Sequence, residues 1–487
     1  MIVAVALTAP RLAPSPRVDD HGTYVSVAER LLAGDRLYVD VWDNKDPFFY
    51  YVLALGRLVS PLSDYAVEVL WVLIACASTW FLSRATGAGR RRALLLSGLV
   101  PLVLTGTAYV PGMTHLPGVA LSLAAIAAGA RRRWVLGGAL IGLLVLTKLV
   151  MTPIAVVGMV VCLWHHRSRS GALRVVVAMS VAVGAGAVLL ASRGELSGWI
   201  DNFRANVVYS DGEIFSSRYG GPVGHLLRAF PEGLPRTALV TVVALVAVLL
   251  ATWPVVRDDR AGRRTVESRT DLPASVSWTL VVSTLVAAGL VLAVTATWPH
   301  HGEALGVPAV LALVLVGATS QQVTPPTRAV TSPRSGPVRG LALLAVTAYA
   351  LGGALHPTFY LQSARGLPDT VRALEEVPPT TALVAGSPIT TYARAGSNDT
   401  TAHAVGLGDV RLACPRFHQY PIEPATILDL TAACLPRADA IIVDESVRPE
   451  AGEPAWNAYV ARVRTLVATG YDCVPTTGSE VCFRRAG

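Results

Sequence analysis

Apolar runs of spanning or near-spanning length recur through most of this chain, at about residues 64–84, 93–110, 116–130, 134–150, 152–166, 174–192, 237–255, 276–297, 304–319 and 339–357. A helix needs about 20 apolar residues to cross the hydrocarbon core. Inside lipid the backbone must satisfy its own polar groups, so a chain patterned this way is restricted to a bundle of helices. The shorter runs cross only with tilt elsewhere or local thinning of the bilayer. Composition agrees. With 52% of 487 residues hydrophobic and 15% charged, the chain is too apolar for an ordinary soluble domain.

Basic residues sit in short clusters between the runs: Arg84 with Arg90, Arg91 and Arg92; Arg131, Arg132 and Arg133; Arg167, Arg169 and Arg174; Arg257 to Arg269; and Arg328 to Arg339. They occupy alternate loops, as one consistent positive-inside topology demands. That accounts for the formal net charge of +8 without a nucleic-acid partner. Pro47 to Pro61 tests the count, because it is apolar but carries Arg57 and reaches only about 22 Å as a helix. If it spanned, every later cluster would flip, so it reads as an interfacial helix on the outer face. Residues 15–63, 111–115, 193–236, 298–303 and 358–487 are then expected outside. Met1 to Leu7 is apolar but short, lacks a basic start, and runs into Pro10, Arg11 and Pro14. It suits neither a span nor a signal peptide, and the true start is expected upstream.

The polar exception is Arg17 to Tyr51, where charge beside lipid is costly and tends to be functional. It reads as an acidic pair, Asp19-Asp20, then Tyr24, then an amphipathic helix over Val25–Ala33 ending at Gly34. Tyr38, Asp40, Trp42-Asp43 and Lys45 follow, before Pro47 and aromatics. This order resembles the first outer loop of the GT-C glycosyltransferases that take a sugar from a polyprenyl phosphate. Protein O-mannosyltransferases and the lipid A aminoarabinose transferase belong to that group. Asp20 departs from the usual Glu, and Asp46 from the usual Pro after the lysine. The resemblance implies a mainly α, polytopic membrane protein, a GT-C type helical bundle of about 10–11 spans with a small C-terminal extracytoplasmic α/β domain. The transmembrane domain would be 1–359, with a catalytic first outer loop at 15–63 and a second outer loop at 193–236; the α/β domain would be 360–487.

Transfer from a lipid phosphate needs a base for the acceptor hydroxyl and cations for the departing phosphate. One carboxylate can serve a one-step inverting displacement, a lesser demand than the carboxylate pair of hydrolases. Asp19 matches the first acidic residue of the motif and is the implied base; on residue chemistry alone it suits a helix cap equally well. Asp20 would orient the helix or ligate a metal. Lys45 is the candidate for the donor phosphate, against a lysine that snorkels at headgroup level. Tyr38, Asp40 and Trp42 shape and anchor the loop. Arg204 and Arg218, in the second outer loop, could clamp a phosphate oxygen, with Asn202, Asn206 and Tyr209 offering hydrogen bonds to a sugar; an outward surface arginine is the alternative. In Trp298-Pro299-His300-His301, His300 resembles a family histidine that would touch phosphate or, with His301 and a carboxylate, hold a metal; a plain interfacial anchor is the alternative. The short outer loop Tyr109–Pro117 lacks the family's acidic residue and has His115 at the polar position. Lys148, at an outer span end, would face the donor or snorkel. A divalent metal stays open as a cofactor.

Past about residue 360 the pattern changes. Thr381–Ala385 and Ala440–Asp444 read as strands, and Val481–Phe483 as a last edge strand. Trp456 to Thr469 reads as a helix with Tyr459, Val463 and Val467 on one face. Of six cysteines, Cys76 and Cys162 lie in apolar runs. Cys414, Cys434, Cys473 and Cys482 lie in the tail, without zinc-ligand spacing, and suggest two disulfides in an oxidising compartment. Tyr471–Cys473 and Val481–Cys482 read as paired strands around Pro475–Gly478, which bridges Cys473 to Cys482. Cys414–Cys434 follows by elimination.

Three function classes compete. A glycosyltransferase with a polyprenyl-phosphate sugar donor and a lipid, glycan or protein acceptor is the expectation. A lipid-linked sugar transporter or flippase would show repeated halves and broken mid-membrane helices, which the sequence lacks. A non-catalytic cell-envelope assembly protein needs neither so charged a first loop nor so many spans. The abundance of Ala, Val, Arg and Gly suggests a GC-rich bacterium, hence its inner membrane, with the active site and tail on the extracytoplasmic side.

Overall fold

The computed structural model describes residues 20–59, 63–107, 114–214, 236–260, 271–294, 299–321, 391–396, 411–416, 425–476 and 479–485. The chain divides into two compact units, each drawn from separated stretches. The first comprises Met1–Ala13, Tyr65–Leu189 and Glu213–His356; the second comprises Pro14–Asp64, Leu190–Gly212 and Pro357–Gly487. The first polar loop and the start of the second therefore group with the tail.

The first unit is helical. Its elements are α3 (Ser63–Ala85), α4 (Arg90–Gly106), α5 (His115–Ala130), α6 (Trp134–Lys148), α7 (Thr152–His166), α8 (Arg169–Ser192), α10 (Arg236–Arg260), α11 (Ala274–Val294) and α12 (Gly306–Gln321). They follow the apolar runs closely, because hydrophobic length is the dominant constraint on a spanning helix. The expected last run, 339–357, lies outside the described residues. Among the described residues five stretches are long and apolar enough to cross a membrane: Ala66–Ala85, Trp134–His166, Arg169–Ser192, Ala274–Ala293 and His301–Thr319. Among the shorter apolar helices is Pro47–Val59, the one expected to lie at the interface. The helix α5, built mainly of Ala, Gly and Leu, is buried along its length and packs against α6 and α7. Small residues also decide the crossing of α6 and α8. A Cβ on Gly138 would lie 2.3 Å from the Val175 carbonyl oxygen, and one on Gly142 would lie 2.8 Å from that of Met179. Spaced four apart, these glycines let the two backbones touch, a standard device where lipid removes the hydrophobic drive between helices.

Among its described residues, the second unit joins three helices to the tail's sheet and its two helices. The helix α1 (Asp20–Leu32) stops where Gly34 adopts φ +100, the left-handed conformation glycine takes without steric cost. The helix α2 (Pro47–Val59) packs against it through Tyr24 and Phe49, ring centroids 5.1 Å apart. Arg57, the charge inside the apolar α2, pairs with Glu29 of α1 at 2.5 Å. The helix α9 (Leu196–Ile214) is the third.

The tail contributes β1 (Thr391–Ala395), β2 (Arg411–Leu412), α13 (Ala425–Cys434), β3 (Ala440–Asp444), α14 (Pro454–Gly470), β4 (Tyr471–Thr476) and β5 (Ser479–Arg484). The strand order is β2-β1-β3-β5-β4, with β2, β1 and β3 parallel and β5 antiparallel to both its neighbours. One expectation is corrected here: Val481–Phe483 is not at the edge. Val481, Cys482 and Phe483 are fully buried and pair on both sides, while β4, with alternating exposure and Pro475, is the edge. Proline has no N–H for a ladder, so it belongs on an edge strand. Trp456, Tyr459, Val463 and Val467 of α14 are buried on the face expected. Both disulfides form as paired in sequence, Cys414–Cys434 and Cys473–Cys482, the latter directly opposite across β4 and β5. The expected strand at 381–385 lies outside the described residues.

Candidate active site

The loop between α1 and α2 begins with a turn closed by charge. Arg36 donates to Asp40 from its backbone N (3.0 Å) and its Nε (2.9 Å). That bond holds the Asp40 carboxyl below its usual pKa. Within the turn Tyr38 adopts φ +64, which costs a bulky residue of the order of 1–3 kcal/mol. The surroundings over-determine this conformation. Tyr38 N donates to the Val41 carbonyl at 2.6 Å, its hydroxyl donates to the Lys45 carbonyl at 2.6 Å, and Gly198 of α9 sits where a Cβ would come within 2.5 Å of the Tyr38 Cβ. Burial, and then the nearby carboxylates Asp46 and Asp43, push the Tyr38 phenol well above its ordinary pKa, so it stays a donor.

The segment Asp43–Asp46 is fixed from both sides. Asp43 is buried and accepts from the Tyr50 hydroxyl of α2. From α9, Asn206 Nδ2 donates to the Asn44 carbonyl (2.8 Å), Asn202 Nδ2 to the Lys45 carbonyl (3.4 Å), and Trp199 Nε1 to Asp46 Oδ1 (3.4 Å). These residues are three and four apart and so share one helix face. Sequence reading offered the two asparagines to a sugar; in the fold their amides hold the loop instead. Lys45 Nζ donates to Asn44 Oδ1 at 2.6 Å and lies 5.8 Å from the Tyr24 ring centroid. A half-buried lysine held by its backbone is a placed cation rather than a loose surface charge.

Glu195 is the residue that sequence reasoning passed over. Its carboxylate is fully buried and accepts from Leu37 N (3.0 Å), from Arg193 Nε (2.8 Å) and from the Tyr51 hydroxyl. One acidic residue thus joins the turn before the loop, the helix after it, and the entry to α9. Burial is the largest cause of the raised pKa of Tyr51, with the Glu195 bond adding to it. A lone Glu at a helix entry carries no sequence signal beyond its charge.

The other expected residues fall differently. Asp19 and Arg218 lie outside the described residues. Asp20 opens α1 and His300 lies in the 3-10 segment Pro299–Leu305, but their side chains are also outside that description. Arg204 is exposed and pairs with Asp201 at 3.1 Å. It stands two residues, or about 200°, around α9 from Asn202, so it does not share the face that grips the Lys45 loop. His301 is placed in the first unit, its ring centroid 5.1 Å from that of His115. Lys148 ends α6 beside the start of α5, where a Cβ on Gly118 would lie 3.4 Å from the Lys148 Cβ. Glu303, two residues past His301, is also buried; it is a carboxylate that sequence reading did not single out. Among the described residues the one cluster with metal-ligand proximity is Cys473, Glu480 and Cys482, and its cysteines are bonded to each other.

The fold is similar to that of solved structures. ArnT from Cupriavidus metallidurans, solved bound to undecaprenyl phosphate, is similar over 99% of this chain and 96% of its own, at 15% identity and a TM-score of 0.58. The chain shares the fold of that structure. The oligosaccharyltransferase of Archaeoglobus fulgidus is a looser likeness, covering 99% of this chain and 74% of its own at 13% identity and a TM-score of 0.48. Its AglB complex with an inhibitory peptide and a dolichol-phosphate is similar at 12% identity and 0.46. No protein-family model matches the chain, and no curated protein matches its sequence. A helical bundle followed by a small α/β domain, as the first-loop resemblance implies, is the architecture found.

Proposed function

We propose that this protein is a membrane glycosyltransferase that moves a sugar from a polyprenyl-phosphate donor to an acceptor on the extracytoplasmic face of a bacterial inner membrane. The observation that carries the reading is the Lys45 loop: a cation in a segment held by Tyr38, Asn202, Asn206 and Glu195. A fixed positive charge stabilises an anion that develops in the transition state without reorganising when it appears. An apolar crevice between α4, α10 and α12, lined by Val103, Leu245, Val248 and Leu313, suits a lipid chain. The solved GT-C relative carries undecaprenyl phosphate.

In this reading Asp19 takes the proton of the acceptor hydroxyl. The acceptor oxygen forms a bond to the anomeric carbon as the bond from that carbon to the phosphate oxygen breaks. The electron pair leaves on the phosphate, whose charge Lys45 stabilises, and the configuration inverts. Asp20 positions the helix start, and His300 and Arg218 are further candidates for the phosphate. Arg204 is not assigned there, given its exposed pairing with Asp201. The test is sugar transfer by the purified full-length protein in nanodiscs from radiolabelled polyprenyl-phosphate sugars. Transfer that falls with Lys45→Ala supports the reading, and a folded protein that neither binds nor consumes any such donor removes it.

A further inference from the structure

The tail reaches the candidate site by a short, stiff connection. Trp42 N donates to the Pro415 carbonyl at 2.6 Å, and Trp42 pairs with Arg416 as an isolated β-bridge. The Arg416 guanidinium lies 3.8 Å from the centroid of the Trp42 ring, a close stack for a cation on an indole. Immediately before Pro415, the buried Cys414 is bridged to Cys434 at the end of α13, and Ala413 N donates to the Tyr392 carbonyl of β1 at 2.7 Å. The pair Pro415–Arg416 is therefore tied to the sheet by a hydrogen bond and to a helix by a covalent bond.

Only Asp43 and Asn44 separate Trp42 from Lys45, and neither is slack. Asp43 is engaged by Tyr50, and Asn44 by Asn206 through its carbonyl and by Lys45 through its side chain. A shift of Trp42 must pass along three residues to the ammonium. Without Pro415–Arg416, the N-terminal half of the loop would rest on the Tyr38 turn and on the Glu195 bond to Leu37 N, neither of which touches Trp42. A loop that carries chemistry loses much of its effect when it is displaced by about 1 Å.

We infer that Arg416 is a positioning residue for the active-site loop: stacked on Trp42, it makes the tail domain part of the donor-phosphate site rather than an appendage to it. The effect on donor binding rests on the reading of Lys45 given above; the effect on loop order does not.

Two measurements on full-length protein in nanodiscs separate these. Hydrogen exchange of residues 41–46 reads loop order without any ligand, and titration with undecaprenyl phosphate reads the phosphate site. Arg416→Ala is expected to speed exchange of that segment about tenfold and to weaken undecaprenyl phosphate binding by a similar factor, the scale of one half-buried cation–π contact. Arg416→Gln, close in length but uncharged, should do the same and serves if the alanine variant does not fold. Arg416→Lys, which keeps a cation over the ring, should recover most of both effects. Arg462→Ala removes an exposed pair with Asp429 on the tail helices and should change neither. Wild-type exchange in Arg416→Ala and Arg416→Gln overturns the inference, as does a loosened loop with unchanged binding. If the wild-type protein itself does not bind undecaprenyl phosphate, the donor reading falls, and the exchange result alone decides whether Arg416 orders the loop.

Discussion

Removing the Glu195 carboxylate is the sharpest perturbation of the loop that touches no residue of the Asn44–Asp46 segment. Glu195→Ala deletes three accepted hydrogen bonds at once, from Leu37 N, Arg193 Nε and the Tyr51 hydroxyl. Leu37 is fully buried, so its N–H is left without water, at about 1–3 kcal/mol. Arg193 is 35% exposed and can rehydrate, so its share is discounted. Tyr51 loses a charged acceptor. These terms do not simply add; the stranded Leu37 N–H and the lost Tyr51 bond to a carboxylate together come to about 3 kcal/mol. A fall of that size in local opening free energy raises the opening constant about 10²-fold. Hydrogen exchange of peptides covering residues 36–45 reads this directly, with the buried strand Ala440–Asp444 as an internal standard. Glu195→Gln keeps one acceptor for Leu37 N and should open the loop about tenfold; Tyr51→Phe, which removes a single bond, should do so about fivefold. Unchanged exchange over 36–45 in a folded Glu195→Ala protein would show that Glu195 does not hold the loop.

The loop should also respond to alkali: burial raises the pKa of both Tyr38 and Tyr51 above 10.0. Their stabilising, neutral forms are fully present below the unfolded value and are lost as pH rises past about 10. Exchange of 36–45 should therefore be level, after correction for intrinsic rate, from about pH 6 to 9 and rise beyond about 10; an earlier rise would point to another group. Denatured, unreduced protein should show the two thiols of Cys76 and Cys162, with the four tail cysteines appearing only after reduction; six thiols before reduction would remove both bridges. For orientation, an impermeant thiol reagent on whole cells should label a cysteine placed at Glu453 and miss one placed at Arg132; the reverse pattern inverts the topology.

What the sequence made legible follows from how strong each physical signal is. Helix positions in the first unit could be read to within a few residues, because span length and basic clusters are set by the bilayer. The Cys473–Cys482 pair could be read because a hairpin places opposed residues in one register. By contrast, β1 and β2 went unread: five and two residues with Arg at Arg394 and Arg411 carry little alternation, and their parallel pairing is non-local. The edge was misassigned because Val481–Phe483 is short and terminal in sequence but central in space. In the site, the motif order Tyr38–Asp40–Trp42–Lys45 was visible, but the residues that hold it were not. Glu195, Asn202, Asn206 and Arg416 come from two distant stretches, and their roles lie in contacts to backbone and ring that no spacing encodes. Arg204 looked suitable by charge; helical phase put it on the other face.

The central claim is tested most directly by one pair of assays on Asp19→Asn in the full-length protein: donor binding and sugar transfer from a radiolabelled polyprenyl-phosphate sugar in nanodiscs. The substitution keeps the shape of the side chain and removes its basic oxygen. If Asp19 is the general base, transfer falls about 10²–10⁴-fold while undecaprenyl phosphate still binds nearly as in the wild type, whereas Lys45→Ala lowers both together. Transfer at near wild-type rate by a folded, inserted Asp19→Asn protein would contradict the account and leave the acidic pair as a cap on the first helix.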